Sequence, residues 1–413
     1  MAQARRSCGV RAVLAGSLAV VCAWPALANP GLHDRRLTAR DLLSLKDIGG
    51  AQGVISLSPN GRYVAFEIQQ PDFSADTYRS EWYVASTSGR GKPVDVGRGG
   101  DLMLYPAPFG RVSGARADIR ARWSPNGRWI AFLRKDGDEV QVWTARRDGH
   151  GERQVTHSAA NVLSFAWRPD SRAIYFEIGR NRKAVARRDR DEGRRGYLLD
   201  DRFLPLHGTK PRWFTCGKRI WNVPAVASER CKPRLWVAAF GSGEHKATVA
   251  ETRAYEHLTA SARPPAVAAG RSIRDVSWNP THTQAAWLEN TSPKTRPGFA
   301  APLTLFVANR ACLAAQCTGR LEGVWWNGTE VVFLRREGWD DSVPAVYVWT
   351  AGRAAPRRIY REDSTLESCA VAAGRLVCLQ ETPTAPRKIV SIDLADGAVA
   401  TLYDPNPGFA RYR

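Results

Sequence analysis

The chain has 413 residues, 44% hydrophobic and 24% charged, a globular composition with room for two or three ordinary domains or one long repeat fold. Its formal net charge of +20 comes from 60 Lys and Arg against 40 Asp and Glu, spread along the chain. A basic balance suits nucleic acid, membranes or acidic ligands, but without a recognisable nucleic-acid module it argues against that first class.

In chain order, Arg5 and Arg6 precede an apolar run from Val10 to Ala23 that ends in Pro25-Ala26-Leu27-Ala28. This is the layout of a secretory signal peptide over residues 1–28, with cleavage expected between Ala28 and Asn29 and a periplasmic or secreted product. Arg11, Gly16 and Ser17 break the run, so no stable membrane anchor is expected. Residues 29–52 form a linker in which Leu37–Leu45, with Thr38 and Asp41 near its start, reads as a short helix packed outside the main domain.

From residue 53 the chain repeats one unit. Arg122–Thr144 shows it best: Ser124-Pro125-Asn126-Gly127 has type I turn chemistry, with Pro125 presetting φ and Gly127 taking the strained exit. Trp129–Leu133 is then apolar on both faces, Lys135–Asp138 turns again, and Val140–Trp143 pairs back. Copies begin at Leu57-Ser58-Pro59-Asn60-Gly61, Trp167-Arg168-Pro169-Asp170-Ser171, Trp278-Asn279-Pro280-Thr281-His282 and Trp326-Asn327-Gly328. Their prolines fall 66, 44 and 111 residues apart, which reads as a blade plus an insertion, one blade, and two blades.

Second strands follow at Glu81–Val84, Val140–Trp143, Leu235–Val237, Leu303–Val307, Val346–Trp349 and Ile389–Ile392. The spacing predicts an all-β fold, a seven-bladed β-propeller with four-stranded blades, spanning 53–404. The expected blades are 53–100, 118–158, 160–205, 206–258, 270–318, 320–361 and 364–404, the fourth resting on spacing and the Leu235 strand. Residues 405–413 would open a linker to a further domain.

Two stretches depart from the repeat. Gly99–Ala117, with Asp101–Arg111 at its heart, is too long for a bare connection and too apolar for disorder; an ordered insertion there would carry binding or cover a blade edge. Gly179–Phe203 is densely charged and reads as a solvated hairpin tip or a cationic loop at the propeller mouth. Substrate-binding candidates are therefore Tyr105, Phe109 and Arg111 in the first stretch and Arg194, Arg195 and Arg202 in the second.

Removal of the signal leaves Cys216, Cys231, Cys312, Cys317, Cys369 and Cys378. An even count in an exported chain favours disulfides, and proximity pairs Cys216 with Cys231, Cys312 with Cys317, and Cys369 with Cys378 across the turn at Ala373-Gly374-Arg375. Reduced core thiols are the alternative. No metal site or cofactor is expected: the histidines are scattered and Cys312 and Cys317 have none nearby. G-x-S-x-G, Walker and Rossmann patterns are all missing, so no catalytic residue can be named.

Blades with S-P-N-G-R turns behind a signal peptide resemble TolB-like proteins and the N-terminal half of prolyl-oligopeptidase-type serine peptidases. Leu376–Pro407 looks like the last blade of those peptidases, and Gly193–Arg202 is similar to a segment of their acylaminoacyl-peptidase branch. More narrowly, Leu37–Gly50 and Gly99–Arg147 resemble the lasso-peptide isopeptidases, with likeness running from Leu37 to Pro407.

That resemblance implies a propeller capping an α/β-hydrolase with a Ser–His–acid triad that hydrolyses the isopeptide bond of a lasso peptide. The triad has no counterpart here, so the expectation is a substrate-gating propeller, from a truncated or split protein, inactive alone. Its expected partners are a lasso peptide or other small peptide and a separate hydrolase domain. The alternatives are a stand-alone TolB-like propeller binding a peptide or protein, and the cap of a dipeptidyl or acylaminoacyl peptidase.

Overall fold

The structure, a computed structural model, describes residues 36–50, 54–106, 112–117, 119–196, 234–259, 272–290 and 301–412, together with 264 and 267. Helix α1 (Ala39–Leu43) comes first, closed by a capping box in which Thr38 and Asp41 each bond the other's backbone N–H. Arg40 lies over the Phe73 ring at 4.8 Å, so α1 sits against the first blade as the sequence suggests.

The described residues then build six blade sheets, numbered I to VI. Blade I comprises Ile55–Leu57, Tyr63–Asp72, Thr77–Ser86 and Val94–Gly100, with Asp47–Ile48 pairing on Gln69 and Ile68 beyond the stretch that Ile55–Leu57 covers. Blade II is Arg122–Trp123, Trp129–Asp136, Glu139–Arg146 and Arg153–Gln154, joined to blade I by one parallel bridge between Gly100 and Lys135. Blade III is Ala160–Trp167, Ala173–Asn181, Arg234–Ala239 and Gly243–Lys246. Blade IV holds Ile273–Trp278, Ala285–Asn290 and Leu303–Val307, edged by Arg310–Ala311 and Thr318–Gly319. Blade V is Leu321–Asn327, Glu330–Glu337, Val343–Thr350 and Arg357–Arg361. Blade VI is Thr365–Ala372, Arg375–Thr382, Ala385–Asp393 and Val399–Tyr403. This is a β-propeller.

The turn motif works as its chemistry dictates. In blade II, Gly127 N–H donates to Ser124 O at 2.8 Å, and Trp129 N–H to Ser124 Oγ at 3.0 Å. Blade I repeats this with Gly61 and Tyr63 on Ser58. The fourth turn residue is left-handed throughout: Gly61 at φ 67°, Gly127 at 65°, and, where glycine is lost, Ser171 at 60° and His282 at 56°. Gly61 is further constrained, because a Cβ there would lie 2.7 Å from Ala372 Cβ of blade VI.

The first strand of each blade lies at the axis, and neighbours are stapled by tryptophans ending those strands. Trp123 Nε1 donates to Ser56 O (2.9 Å), Trp167 Nε1 to Arg122 O (2.8 Å) and Trp326 Nε1 to Ser277 O (2.9 Å). Blades VI and I meet through Phe66, Val377, Leu379 and Ile389, and Ile55 N–H bonds Ser368 Oγ at 3.0 Å. One junction differs. The face of blade III that would meet the next blade meets Tyr255 of a helix, α3 (Val249–Thr259). Across that seam, the indole N–H of Trp278 is shielded from water and has no partner among the described residues.

The expected fourth blade is corrected here. Leu235–Val237 lies within Arg234–Ala239, which pairs with Ala173–Asn181 as the third strand of blade III. The 111-residue gap thus contains a long insertion inside one blade and then α3, rather than the simple two-blade spacing. No sheet of a seventh blade occurs among the described residues. The charged run is corrected too: instead of a hairpin tip, it is helix α2 (Arg182–Arg195). Asn181 caps α2 by accepting from Ala184 N–H at 3.1 Å, and Gly196 ends it at φ 72°.

Cys312 and Cys317 are bonded, as are Cys369 and Cys378, whose Cα atoms lie 4.2 Å apart on adjacent strands of blade VI. Cys216, Cys231 and the signal sequence with its Ala28–Asn29 site lie outside the described residues.

Candidate functional site: the channel mouth at the chain-end face

The two ends of the propeller differ chemically. One carries the S-P-N-G-type turns. At the other the chain enters and leaves: Lys46 N–H donates to Asn406 Oδ1 at 2.9 Å, Asn406 Nδ2 returns a bond to Lys46 O at 2.8 Å, and Tyr412 OH reaches Asp41 Oδ1 at 2.9 Å. At this second mouth charged side chains interrupt strands that are otherwise apolar.

Arg387 is the hub. Its guanidinium lies 3.4 Å from Asp47, 3.4 Å from Glu367 and 3.8 Å from Glu381, with its side chain only 14% exposed. Arg116 pairs with the same Asp47. On blade V, Glu322 takes Arg336 at 2.7 Å and Arg320 at 3.4 Å. Burial pushes the Glu367 carboxyl above its ordinary value and the charge of Arg387 pulls it back. Partial desolvation strengthens each pair relative to a fully exposed one, so the rim is a preorganised set of alternating charges.

The insertion stands at this mouth. It is a hairpin of Leu104–Pro106 against Val112–Arg116, and Arg116 ties its base to Asp47 while lying 5.7 Å from the Tyr78 ring. Tyr105 is on its first strand; Phe109 and Arg111 fall outside the described residues. Helix α2 rises from the same end of blade III, with Arg182 paired to Glu139 at 3.1 Å. Arg194 and Arg195 are exposed in its last turn, and Arg202 lies outside the described residues.

The structure thus places the hairpin and α2 at one face. The sequence reading missed Asp47, Glu322, Arg336, Glu367 and Arg387. Their only signal was a charge inside an apolar strand, such as Glu322 between Leu321 and Gly323.

Chemically, the rim can bind and orient polar groups. Among the described residues no serine or threonine hydroxyl bonds a histidine ring; His245, for instance, faces Glu251 at 3.1 Å. Nothing described here builds a nucleophile and its base.

Four-stranded blades set side by side, with residues 46 and 406 joined at a charged rim, define the protein as a β-propeller. No protein-family model matches the sequence. Across 395 residues the chain is 32% identical to the lasso peptide isopeptidase AtxE2 of Asticcacaulis excentricus, covering 91% of this chain and 52% of that protein. The solved structure of an AtxE2 isopeptidase variant with Astexin3-dC4 bound superposes with a TM-score of 0.75 at 28% identity, covering 92% of this chain and 56% of that one. The apo AtxE2 structure gives 0.74 at 28% identity, covering 92% and 55%. The chain is therefore a homologue of lasso peptide isopeptidase AtxE2, and it spans about half the length of that relative.

Proposed function

We propose that the chain is the substrate-gating propeller of an exported serine peptidase that opens the isopeptide bond of lasso peptides. In this reading the triad resides in an α/β-hydrolase domain docked on the chain-end face, and the charged rim lies between that domain and the axial channel. The observation that carries the proposal is the 32% identity to a lasso peptide isopeptidase over 91% of the chain. Export, with removal of residues 1–28, fits the two disulfides, which persist in oxidising compartments.

The test is binding of a threaded lasso peptide to the purified chain, measured by calorimetry beside the linear peptide of the same sequence. Saturable binding of the threaded form, with weaker or no binding of the linear one, is expected. The ring should stay closed and a fluorophosphonate probe should leave this chain unlabelled. Equal affinity for both forms would remove the lasso-specific reading. A general dipeptidyl-peptidase cap has thinner support: 24% identity over 140 residues to Dipeptidyl-peptidase 5 of Porphyromonas endodontalis, covering 34% of this chain. Release of N-terminal dipeptides by the chain joined to its hydrolase domain would favour that cap.

A further inference from the structure

Away from the chain-end face, on the perimeter beside the turns, blades II and III leave a cleft of about 460 Å³. It exists because both outermost strands are short: Arg153–Gln154 on blade II and Gly243–Lys246 on blade III leave sheet edges uncovered. Its volume lies within the range of roughly 300–1,000 Å³ usual for ligand sites, enough for one or two residues of a peptide. The wall is apolar, from Val155, Ala238, Ala239 and Phe240.

Within this apolar setting stands an uncompensated cation. The Arg153 guanidinium lies 5.1 Å from the centroid of Phe240 and 5.6 Å from that of Trp129, so aromatic rings on two blades hold it. Among the described residues it has no carboxylate partner and its side chain makes no hydrogen bond. The one acid in the cleft, Glu244, is engaged elsewhere: it accepts the backbone N–H of His157 and lies 3.6 Å from that residue's Nδ1. Gly241 and Gly243 keep the rim free of side chains; a Cβ on either would meet nothing within 4 Å. An exposed guanidinium held near two rings, with no acceptor for its side chain among the described residues, has its N–H donors left for a planar, two-oxygen acceptor.

We propose that this cleft is a binding site for a carboxylate joined to an apolar side chain, namely the C-terminal residue of a peptide. Arg153 takes the carboxylate in a fork, and the wall of Val155, Ala238, Ala239 and Phe240 takes the side chain. Charge complementarity selects this occupant: a neutral apolar group would leave a desolvated guanidinium unpaired, while a cation would meet it directly. Phosphate alone would use the fork but leave the wall empty.

The test is calorimetric titration of the purified protein with N-acetyl-L-phenylalanine, its C-terminal amide and inorganic phosphate. The acid should bind saturably, and the amide about tenfold more weakly, the usual scale for one charge-assisted pair. Arg153→Gln should lower affinity for the acid by a similar factor, Arg153→Lys by less, and Glu244→Gln should leave it equal or raise it. Arg153 is exposed, so unchanged melting of these variants is the check on folding; should Arg153→Gln unfold, Arg153→Lys carries the same comparison. Equal binding of acid and amide, unchanged affinity in Arg153→Gln, or phosphate binding as tightly as the acid would overturn the assignment.

Discussion

The tryptophan staples make a sharp comparison possible, because among the described residues three have a partner and one does not. In Trp167→Phe the indole N–H is lost and the Arg122 carbonyl, 2.8 Å away, loses its bond at a blade junction. Leaving such a group unsatisfied costs about 1–3 kcal/mol, to which the smaller ring adds a packing loss. In Trp278→Phe the packing loss is no larger, because Trp278 is only partly buried, and among the described residues the indole N–H has no partner to lose, so its removal relieves a buried polar atom. The expected difference is therefore about 1–3 kcal/mol, with Trp167→Phe the less stable. Urea unfolding followed by far-UV circular dichroism resolves it; melting is a weaker readout, since in a chain of this length each kcal/mol moves Tm by only about 1–2 °C. Equal destabilisation by the two substitutions would show that the indole–carbonyl bonds do not hold the blades together.

Three further outcomes follow from the same packing. Burial raises the Glu67 carboxyl above its ordinary 4.5, against hydrogen bonds from Ser80 and Gln69, so its neutral form contributes stability that is full below pH 4.5 and lost as pH rises through the folded value; Glu67→Gln should therefore flatten a stability–pH curve and gain on the native chain towards alkaline pH. Arg387→Ala strips the shared partner from Asp47, Glu367 and Glu381 and should cost about 2 kcal/mol, in part recovered at high salt, by denaturant titration. Replacing Cys369 and Cys378 together by alanine should cost about 2–3 kcal/mol, and a reducing agent should lower the melting temperature of the native chain but not shift that double variant through this bond.

The blades were legible in the sequence because their determinants are local. A four-residue turn with proline second and a left-handed fourth residue, followed by a strand apolar on both faces, announces itself within ten positions. What required the structure was non-local or non-periodic. Asp47 and Arg387 are 340 residues apart and meet only when blade VI closes on blade I. Helix α2 has almost no apolar face to betray a 3.6-residue period; its helicity rests on an Asn181 cap and on arginine and alanine propensity, which a charged run disguises. The Leu235 strand is legible as a strand, but spacing alone does not tell an insertion inside a blade from a blade of its own.

The irregular spacing and Trp278, whose indole N–H has no partner among the described residues, fall at the same place, and that coincidence has a thermodynamic consequence. A propeller is held by nearest-neighbour junctions, so its easiest opening is at the junction with the fewest shared contacts. At the seam between blades III and IV, α3 intervenes, and its ties to blade III include a Tyr255–Ser164 hydroxyl contact of 3.2 Å and ring packing of Tyr255 on Tyr175 at 5.9 Å. On the far side, no residue of Ile273–Trp278 is fully buried, whereas Leu321, Gly323 and Val324 of the corresponding strand in blade V are. Native-state hydrogen exchange should therefore show Ile273–Trp278 and α3 exchanging through openings smaller than global unfolding, and Leu321–Asn327 exchanging only with it. Matched protection in the two inner strands would mean that the seam is as firmly closed as the tryptophan-stapled junctions, and that the lost staple has been replaced by contacts as strong as the one it lacks.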